Sequence, residues 1–260
     1  DTVVIHHSAT SNELDPQDIH DLQVVSHEND RDSAGNPDPW YMIAYNYVVK
    51  APYEDDARDP PQVFEGRPDH IKGAHAGGHV NLDQLDPKVR RLVENSNIQC
   101  GWNKDKDSGH QMDTVSENAT DLAREEINDG FVSANITSVG VLVTGNFAPD
   151  ILNGRPNVSG YPANGPVRYP SETTLRTTAK LICKLKNGDY PNLRKITDHN
   201  YARIKKNLAD GEGYFGTCCP GTVYYRLNKL LELTKEECPE HQFALDISPK
   251  EHLCHFLENL

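Results

Sequence analysis

Apolar and polar residues follow two patterns along the chain, one typical of strands and one typical of helices. Nearly continuous apolar runs at 2–6 and 138–143 are rich in β-branched residues and predict two buried strands. Shorter apolar segments predict further strands at 45–50, 62–66 and 195–197. The run at 138–143 has no regular polar alternation, so we expect it at the centre of a sheet.

Segments with helical spacing separate these strands. Asp15 and Pro16 predict the start of a helix, because Asp caps a helix N-terminus and Pro is favoured at the first helical position. Further helices are predicted at 171–186, at 221–233 and after Ser248, where a capping box precedes apolar residues. The alternation predicts an α/β fold, with a central mixed β-sheet flanked by helices.

Length and charge limit the classes of function. The chain has 260 residues and a net charge of −13 at pH 7. It is long enough to bury a sizeable core as one domain. Its negative charge argues against nucleic acid as a partner, since nucleic-acid binders present a basic face. No apolar run in the sequence reaches the length of a membrane span.

Six cysteines in a chain of this length do not indicate a disulfide framework. Cys183 lies in an apolar helical pattern, which predicts a small buried thiol. Cys238 and Cys254 flank the C-terminal segment, and the sequence leaves open whether they pair or stay free.

Candidate chemistry begins where the first strand runs into two adjacent histidines, His6 and His7. Neighbouring side chains on a strand point to opposite faces, so only one of the two can face a given site. A histidine at this position is held firmly by the sheet and suits a metal ligand or a base. A hydrogen-bonded structural histidine is the alternative.

A second feature lies near the other end, where His199 precedes a TCCPG segment at 217–221. Zinc binds imidazole and thiolate readily, and catalytic zinc sites use three protein ligands. His6, His199 and Cys219 would supply such a set. Alternatively, the adjacent cysteines supply a buried thiol or a disulfide partner. The spacing of the residues alone does not distinguish a metal site from these alternatives.

Five motifs between residues 2 and 221 resemble, in order, those of zinc-dependent N-acetylmuramoyl-L-alanine amidases. They are VVIHHSAT, AYNYVV, GAHAGGH, SVGV with GNF, and His199 followed by TCCPG. The chain is similar to the branch that contains phage T7-type lysozymes and peptidoglycan recognition proteins. The resemblance implies an amidase-like fold and hydrolysis of the amide between N-acetylmuramic acid and the L-alanine of the stem peptide.

The resemblance also implies roles for individual residues. His6, His199 and Cys219 would bind Zn²⁺. Tyr45 would donate a hydrogen bond to the bound water or the developing oxyanion, and Thr217 would place a hydroxyl near the same oxygen. The alternative for Tyr45 is an aromatic residue packed in the core, and for Thr217 a hydroxyl that caps a turn.

Three further residues are candidates for substrate contacts. His75 lies in the AHAGGH segment, whose glycines allow a ligand to approach the backbone closely. His27 follows the first helix and matches a histidine that borders the groove in relatives. Trp40 would line the same groove, with packing in the core or at its rim as the alternative.

Two segments depart from the spacing of the family. About 20 residues separate His199 from Cys219, which we interpret as an insertion between two ligands. A longer insertion, at about 80–134, separates the AHAGGH and SVGV motifs. We therefore predict a zinc amidase domain at 1–234 and a C-terminal extension with a terminal helix at 235–260.

The long insertion is predicted to be helical. Its helices are expected near 87–95 and 115–127, with a polar surface loop at 101–111 between them.

The expected partner is peptidoglycan or its muropeptides, and we expect the protein to be secreted, periplasmic or associated with a cell wall. No signal peptide is recognisable; the sequence begins almost inside its first strand, so we expect a processed or trimmed N-terminus. The sequence gives no indication of oligomeric state. Two other functions stay open, a non-hydrolytic peptidoglycan-binding module and a cysteine hydrolase that uses Cys218 or Cys219 with His199 as base.

Overall fold

The computed structural model describes ten segments of the chain. They are residues 2–8, 15–26, 43–51, 60–67, 103–105, 109–111, 138–145, 147, 169–202 and 219–248. The strands are β1 (Thr2–His7), β2 (Tyr47–Lys50), β3 (Gln62–Glu65), β4 (Asn103–Asp105), β5 (Gly109–Gln111), β6 (Ser138–Val143), β7 (Lys195–Asp198) and β8 (Ala244–Asp246). The helices are α1 (Pro16–Ser26), α2 (Glu172–Asn187), a 3-10 helix (Gly221–Arg226) and α3 (Leu227–Glu237).

Six strands form one mixed sheet in the order β3-β2-β6-β1-β7-β8. Strands β2, β6, β1, β7 and β8 run parallel to one another, and β3 pairs antiparallel with β2. The apolar runs of β1 and β6 occupy central positions, as their lack of polar alternation predicts. The predicted α/β fold with a mixed central sheet is confirmed.

The two faces of the sheet pack against different helices. On one face, Ile5 and Val141 belong to a core cluster that includes Ile182 of α2 and Leu230 of α3. The opposite face packs against α1, and its smaller cluster contains Ile19, Ile43, Val48 and Leu142. We call these surfaces the α2/α3 face and the α1 face.

The helix ends agree with the sequence signals. Oδ1 of Asp15 accepts hydrogen bonds from the backbone N–H groups of Gln17 at 2.9 Å and Asp18 at 3.1 Å. Ser171 caps α2 by accepting from the backbone N–H of Thr174 at 3.1 Å. Because these caps satisfy donors that a helix leaves unpaired, both helices start where the sequence predicts.

The C-terminal part of the described chain differs from the single helix predicted at 221–233. A 3-10 helix comes first, and α3 continues to Glu237, so the boundary placed at residue 234 falls inside α3. Beyond it, β8 pairs in parallel with β7, and Phe243 is buried in the main core. Residues of the predicted extension therefore form an edge strand of the sheet.

Within the long insertion, the structure describes only β4 and β5. These strands pair antiparallel, with Asn103 opposite Gln111 and Asp105 opposite Gly109. The loop predicted at 101–111 is therefore wrong for residues 103–105 and 109–111, where the backbones pair despite the polar side chains. The helices predicted at 87–95 and 115–127, and the one after Ser248, lie outside the described residues.

A disulfide joins Cys183 of α2 to Cys238 at the end of α3. The predicted role of Cys183 as a small buried thiol is wrong, and so is the possible pairing of Cys238 with Cys254. Sequence spacing could not indicate this bond, because the two cysteines are 55 residues apart and meet only when the two helices pack together. None of the described helices has the length and apolar character needed to cross a membrane.

The disulfide predicts a measurable loss of stability in the Cys183→Ala/Cys238→Ala variant. Closing a loop of 55 residues restricts the unfolded chain, so its removal should lower the free energy of unfolding by about 2–4 kcal/mol. Urea denaturation of the wild type and the variant measures this difference. Mass spectrometry of a non-reduced digest should find the Cys183–Cys238 peptide pair, and a Cys238–Cys254 pair would contradict the structure.

Candidate metal centre

Strand register brings His6 and His199 together. β1 pairs in parallel with β7 from Thr2 opposite Lys195 to Ile5 opposite Asp198, and His6 and His199 directly follow the last of these pairs. Residues paired across parallel strands share a face of the sheet. The two imidazole rings have centroids 4.4 Å apart.

Cys219 completes a cluster of three potential ligands. One donor atom from each of His6, His199 and Cys219 lies within 4.8 Å of the others. Sγ of Cys219 is 3.7 Å from Nδ1 of His6. A tetrahedral zinc ion with ordinary bond lengths separates a sulfur ligand from a nitrogen ligand by about 3.6 Å. The observed separation therefore fits a shared metal ion without rearrangement of the backbone.

The three residues of the cluster differ in burial. His6 is fully buried, whereas His199 and Cys219 are each half-buried. The Nδ1 atom of His199 is itself buried. A catalytic metal site needs three protein ligands and one open position, and two half-buried ligands are compatible with that arrangement.

A turn holds Cys219 at the entrance of the 3-10 helix. The peptide bond between Cys219 and Pro220 is cis, and Gly221 has a φ of 63°, a conformation that favours glycine. The backbone N–H of Thr222 donates to the carbonyl of Phe147 at 2.8 Å. The backbone N–H of His7 lies 3.5 Å from Sγ of Cys219 and donates to it. The thiol is thus directed back towards the end of β1.

Burial makes the free thiolate of Cys219 unfavourable. Desolvation raises the pKa of the Cys219 thiol to about 12, and the charge of Asp198 raises it further, while the hydrogen bond from His7 opposes the shift. A bound cation would favour the thiolate, because a coordinated thiol loses its proton. The chemistry of the three donors therefore fits zinc, which prefers neutral imidazole and thiolate.

His7 faces away from the cluster, as alternation along β1 predicts. Its Nδ1 atom accepts a hydrogen bond from the backbone N–H of Phe147 at 3.2 Å. Burial lowers the pKa of His7 to about 4, despite a hydrogen bond with the backbone of Gly145. His7 is therefore neutral at pH 7 and supports the loop beside Cys219.

Tyr45 lies next to the cluster on the α1 face. Its ring centroid is 5.0 Å from that of His6, and the two rings meet edge to face. Burial raises the pKa of the Tyr45 phenol above its usual value, and the nearby Cys219 raises it further, whereas a hydrogen bond with the Gln23 side chain lowers it. The phenol therefore keeps its proton and can donate it in a hydrogen bond.

The segment that carries Tyr45 is held by residues at the end of β3. The backbone N–H of Arg67 donates to the carbonyl of Tyr45 at 2.8 Å, and its Nε donates to the carbonyl of Ile43 at 3.0 Å. Gly66 packs so closely that an added Cβ would lie 2.5 Å from the carbonyl oxygen of Tyr45. Only glycine fits this contact.

The structure thus brings four predicted site residues together, namely His6, His199, Cys219 and Tyr45. The other four predicted residues lie outside the described residues; they are Thr217, His75, His27 and Trp40. A second group of potential ligand atoms in the described chain contains Cys183, Cys238 and Glu240, but its two sulfurs are bonded to each other.

The sequence gives little indication of the residues that surround this cluster. Gln23, Gly66 and Arg67 hold Tyr45, and Asp198 and Ser248 lie behind His199. Gly66 and Arg67 directly follow a short strand, and a glycine and a charged residue at such a position are only a weak sequence signal. The capping box at Ser248 predicts the start of a helix and gives no indication of a contact with Asp198, because that contact depends on a strand of only three residues.

Comparisons with known proteins found no relative of this chain. No protein-family model matches the chain, and no curated protein or solved structure matches it. The resemblance to zinc amidases therefore rests on the sequence motifs alone.

The close approach at Gly66 predicts that Gly66→Ala displaces the segment carrying Tyr45. The new methyl group would meet backbone atoms, so the free energy of unfolding should fall by about 1–3 kcal/mol. Chemical denaturation measures the loss, and the shift of the Tyr45 ring resonances in NMR spectra measures the displacement.

Gly188→Ala is the matched control for this variant. Gly188 has a φ of −116°, and its added Cβ would lie 3.3 Å from the nearest atom, the carbonyl of Lys184. Its stability should change by less than about 1 kcal/mol. Equal effects of the two substitutions would show that the contact with Tyr45 has no special role.

Proposed function

We propose that this chain is a zinc-dependent N-acetylmuramoyl-L-alanine amidase. It hydrolyses the amide between N-acetylmuramic acid and the L-alanine of the stem peptide in peptidoglycan. The observation that carries the proposal is the convergence of His6, His199 and Cys219 beside Tyr45. The substrate is inferred from the ordered motifs of the sequence, which resemble those of zinc amidases.

The ligand set supports a catalytic metal centre because it contains three donors, two of which belong to half-buried residues. When bound, zinc supplies a water nucleophile at neutral pH and polarises the scissile carbonyl. The sheet fixes His6, since β1 pairs with β6 on one side and with β7 on the other. A rigid support of this kind keeps a site in its productive geometry.

Tyr45 donates a hydrogen bond to the oxygen that gains negative charge during hydrolysis. Its raised pKa keeps the phenol protonated, and its ring already lies against His6. A donor that is in place before the reaction stabilises the transition state without reorganisation. This role explains why the structure holds the Tyr45 segment through both Gly66 and Arg67.

A cysteine hydrolase is less well supported by the same geometry. A nucleophilic cysteine needs a lowered pKa, which usually comes from a nearby cation or a helix N-terminus. Burial instead raises the pKa of the Cys219 thiol to about 12. A chelator distinguishes the two functions, because it should abolish the activity of a zinc amidase and leave a thiol enzyme largely intact.

The proposal includes an oxidising location, either secreted, periplasmic or associated with the cell wall. Persistent disulfides occur mainly in such compartments, and Cys183–Cys238 is a disulfide between two helices of the core. Peptidoglycan is found in the same surroundings. The disulfide and the proposed substrate therefore favour the same kind of compartment.

Removal of a ligand should remove the metal. We expect His6→Ala, His199→Ala and Cys219→Ala each to lose stoichiometric zinc and to stop releasing stem peptide from muropeptides, because three ligands leave no redundancy. Elemental analysis measures the zinc. Chromatography detects the released peptide, and a parallel assay should find no new reducing sugar ends.

The control for these variants is His7→Asn, which keeps a hydrogen-bond acceptor for the backbone N–H of Phe147 and leaves the three ligands intact. It should retain zinc. Stoichiometric zinc in the His199→Ala protein would show that the ligand set is wrong.

Tyr45→Phe should separate metal binding from catalysis. The variant keeps the ring against His6 but loses the hydroxyl, so zinc content and stability should remain close to wild type. Loss of one donor to a developing oxyanion lowers kcat by about 10²-fold. Turnover at the wild-type rate would mean that Tyr45 only packs beside the site.

A further inference from the structure

Ser248, which follows β8, is the centre of a buried polar network. Its backbone N–H donates to Oδ2 of Asp198 at 2.8 Å, and its hydroxyl donates to Oδ1 of the same carboxylate at 2.9 Å. The side-chain amide of Asn200 donates to the Ser248 hydroxyl at 2.9 Å, and the Tyr224 hydroxyl donates to the Ser248 carbonyl at 2.7 Å. Only 1% of Ser248 is exposed.

Two partners of Ser248 flank His199, and one of them also contacts the backbone of Cys219. Asp198 directly precedes His199, and Asn200 directly follows it. The backbone N–H of Asn200 donates to the carbonyl of Cys219 at 3.1 Å, so this network also reaches the third ligand. Tyr224 belongs to the 3-10 helix that begins two residues after Cys219.

These two ligands lack the support that the sheet gives to His6. His199 lies beyond the last residue of β7 that pairs with β1, and Cys219 lies in a turn. Their backbone must therefore be held by other contacts. Ser248 is itself placed by β8, where Thr197 is opposite Asp246 and the Thr197 hydroxyl donates to the Asp246 carbonyl.

We propose that Ser248 is a positioning residue for the metal centre, one that holds the backbone around His199 and Cys219 in the geometry for binding zinc. The inference rests on the proposed zinc site and gives the C-terminal segment a part in it. Groups that orient metal ligands typically change metal affinity when they are removed, even though they do not touch the ion.

Zinc affinity of the full chain tests this role. Ser248→Ala removes the hydroxyl that joins Asp198 to Asn200, and we expect zinc binding to weaken by roughly 10- to 100-fold. Competition with a chromophoric chelator measures the dissociation constant. The absorption spectrum of the cobalt-substituted protein should also change, because it reports the geometry of the ligands.

Thr234→Val is the matched control, because it removes a buried hydroxyl that donates to the Leu230 carbonyl at 2.8 Å within α3. It should lower stability without weakening zinc binding. If Ser248→Ala does not fold, Tyr224→Phe removes a single hydroxyl from the same network and keeps the packed ring. It should weaken zinc binding in the same direction.

The outcomes separate this inference from the proposed function. Zinc affinity in Ser248→Ala equal to that in Thr234→Val would overturn the role of Ser248 and leave the zinc site intact. If Tyr224→Phe has to replace Ser248→Ala, wild-type zinc affinity in Tyr224→Phe would overturn the role of Ser248 in the same way. A wild-type chain that binds no zinc would overturn both the proposed function and this role.

Discussion

The parallel pairing of β1 with β7 is the constraint on which the candidate site depends. It places His6 beside His199 on one face of the sheet, although the two residues are far apart in sequence. A slip of one residue in β1 would turn the His6 side chain to the opposite face. The apolar neighbours of His6 prevent such a slip, because Val3 and Ile5 must face the core formed with α2 and α3.

The same arrangement explains the electrostatics of the cluster. A thiol and two imidazoles lie close together in a largely desolvated place, where the free thiolate is unfavourable. A cation would relieve this cost, since opposite charge favours the ionised form of a nearby group. The geometry and the charge balance therefore favour the same proposal, a metal centre with Tyr45 as a hydrogen-bond donor beside it.

The main strands and the first two helices could be predicted because their signals are local. The apolar runs of β1 and β6 and the caps at Asp15 and Ser171 each depend on a few adjacent residues. The pairing of Cys183 with Cys238 could not be predicted, because it depends on how two helices pack. The strand β8 was missed because three residues give no periodic pattern.

The candidate ligands could be predicted from the motif order, whereas the residues that hold them could not. Asp198, Asn200 and Ser248 form contacts between segments that are about 50 residues apart in sequence. Hydrogen bonds between polar residues that are distant in sequence do not affect the hydrophobic periodicity of the chain. The support of a site is therefore visible only after the chain has folded.

X-ray absorption at the zinc edge of the purified full chain tests the central claim most directly. We expect one zinc ion per chain, with one sulfur neighbour at about 2.3 Å and nitrogen or oxygen neighbours at about 2.0–2.1 Å, two of them imidazoles. A chain without zinc after loading, or a zinc shell that contains no sulfur, would contradict it.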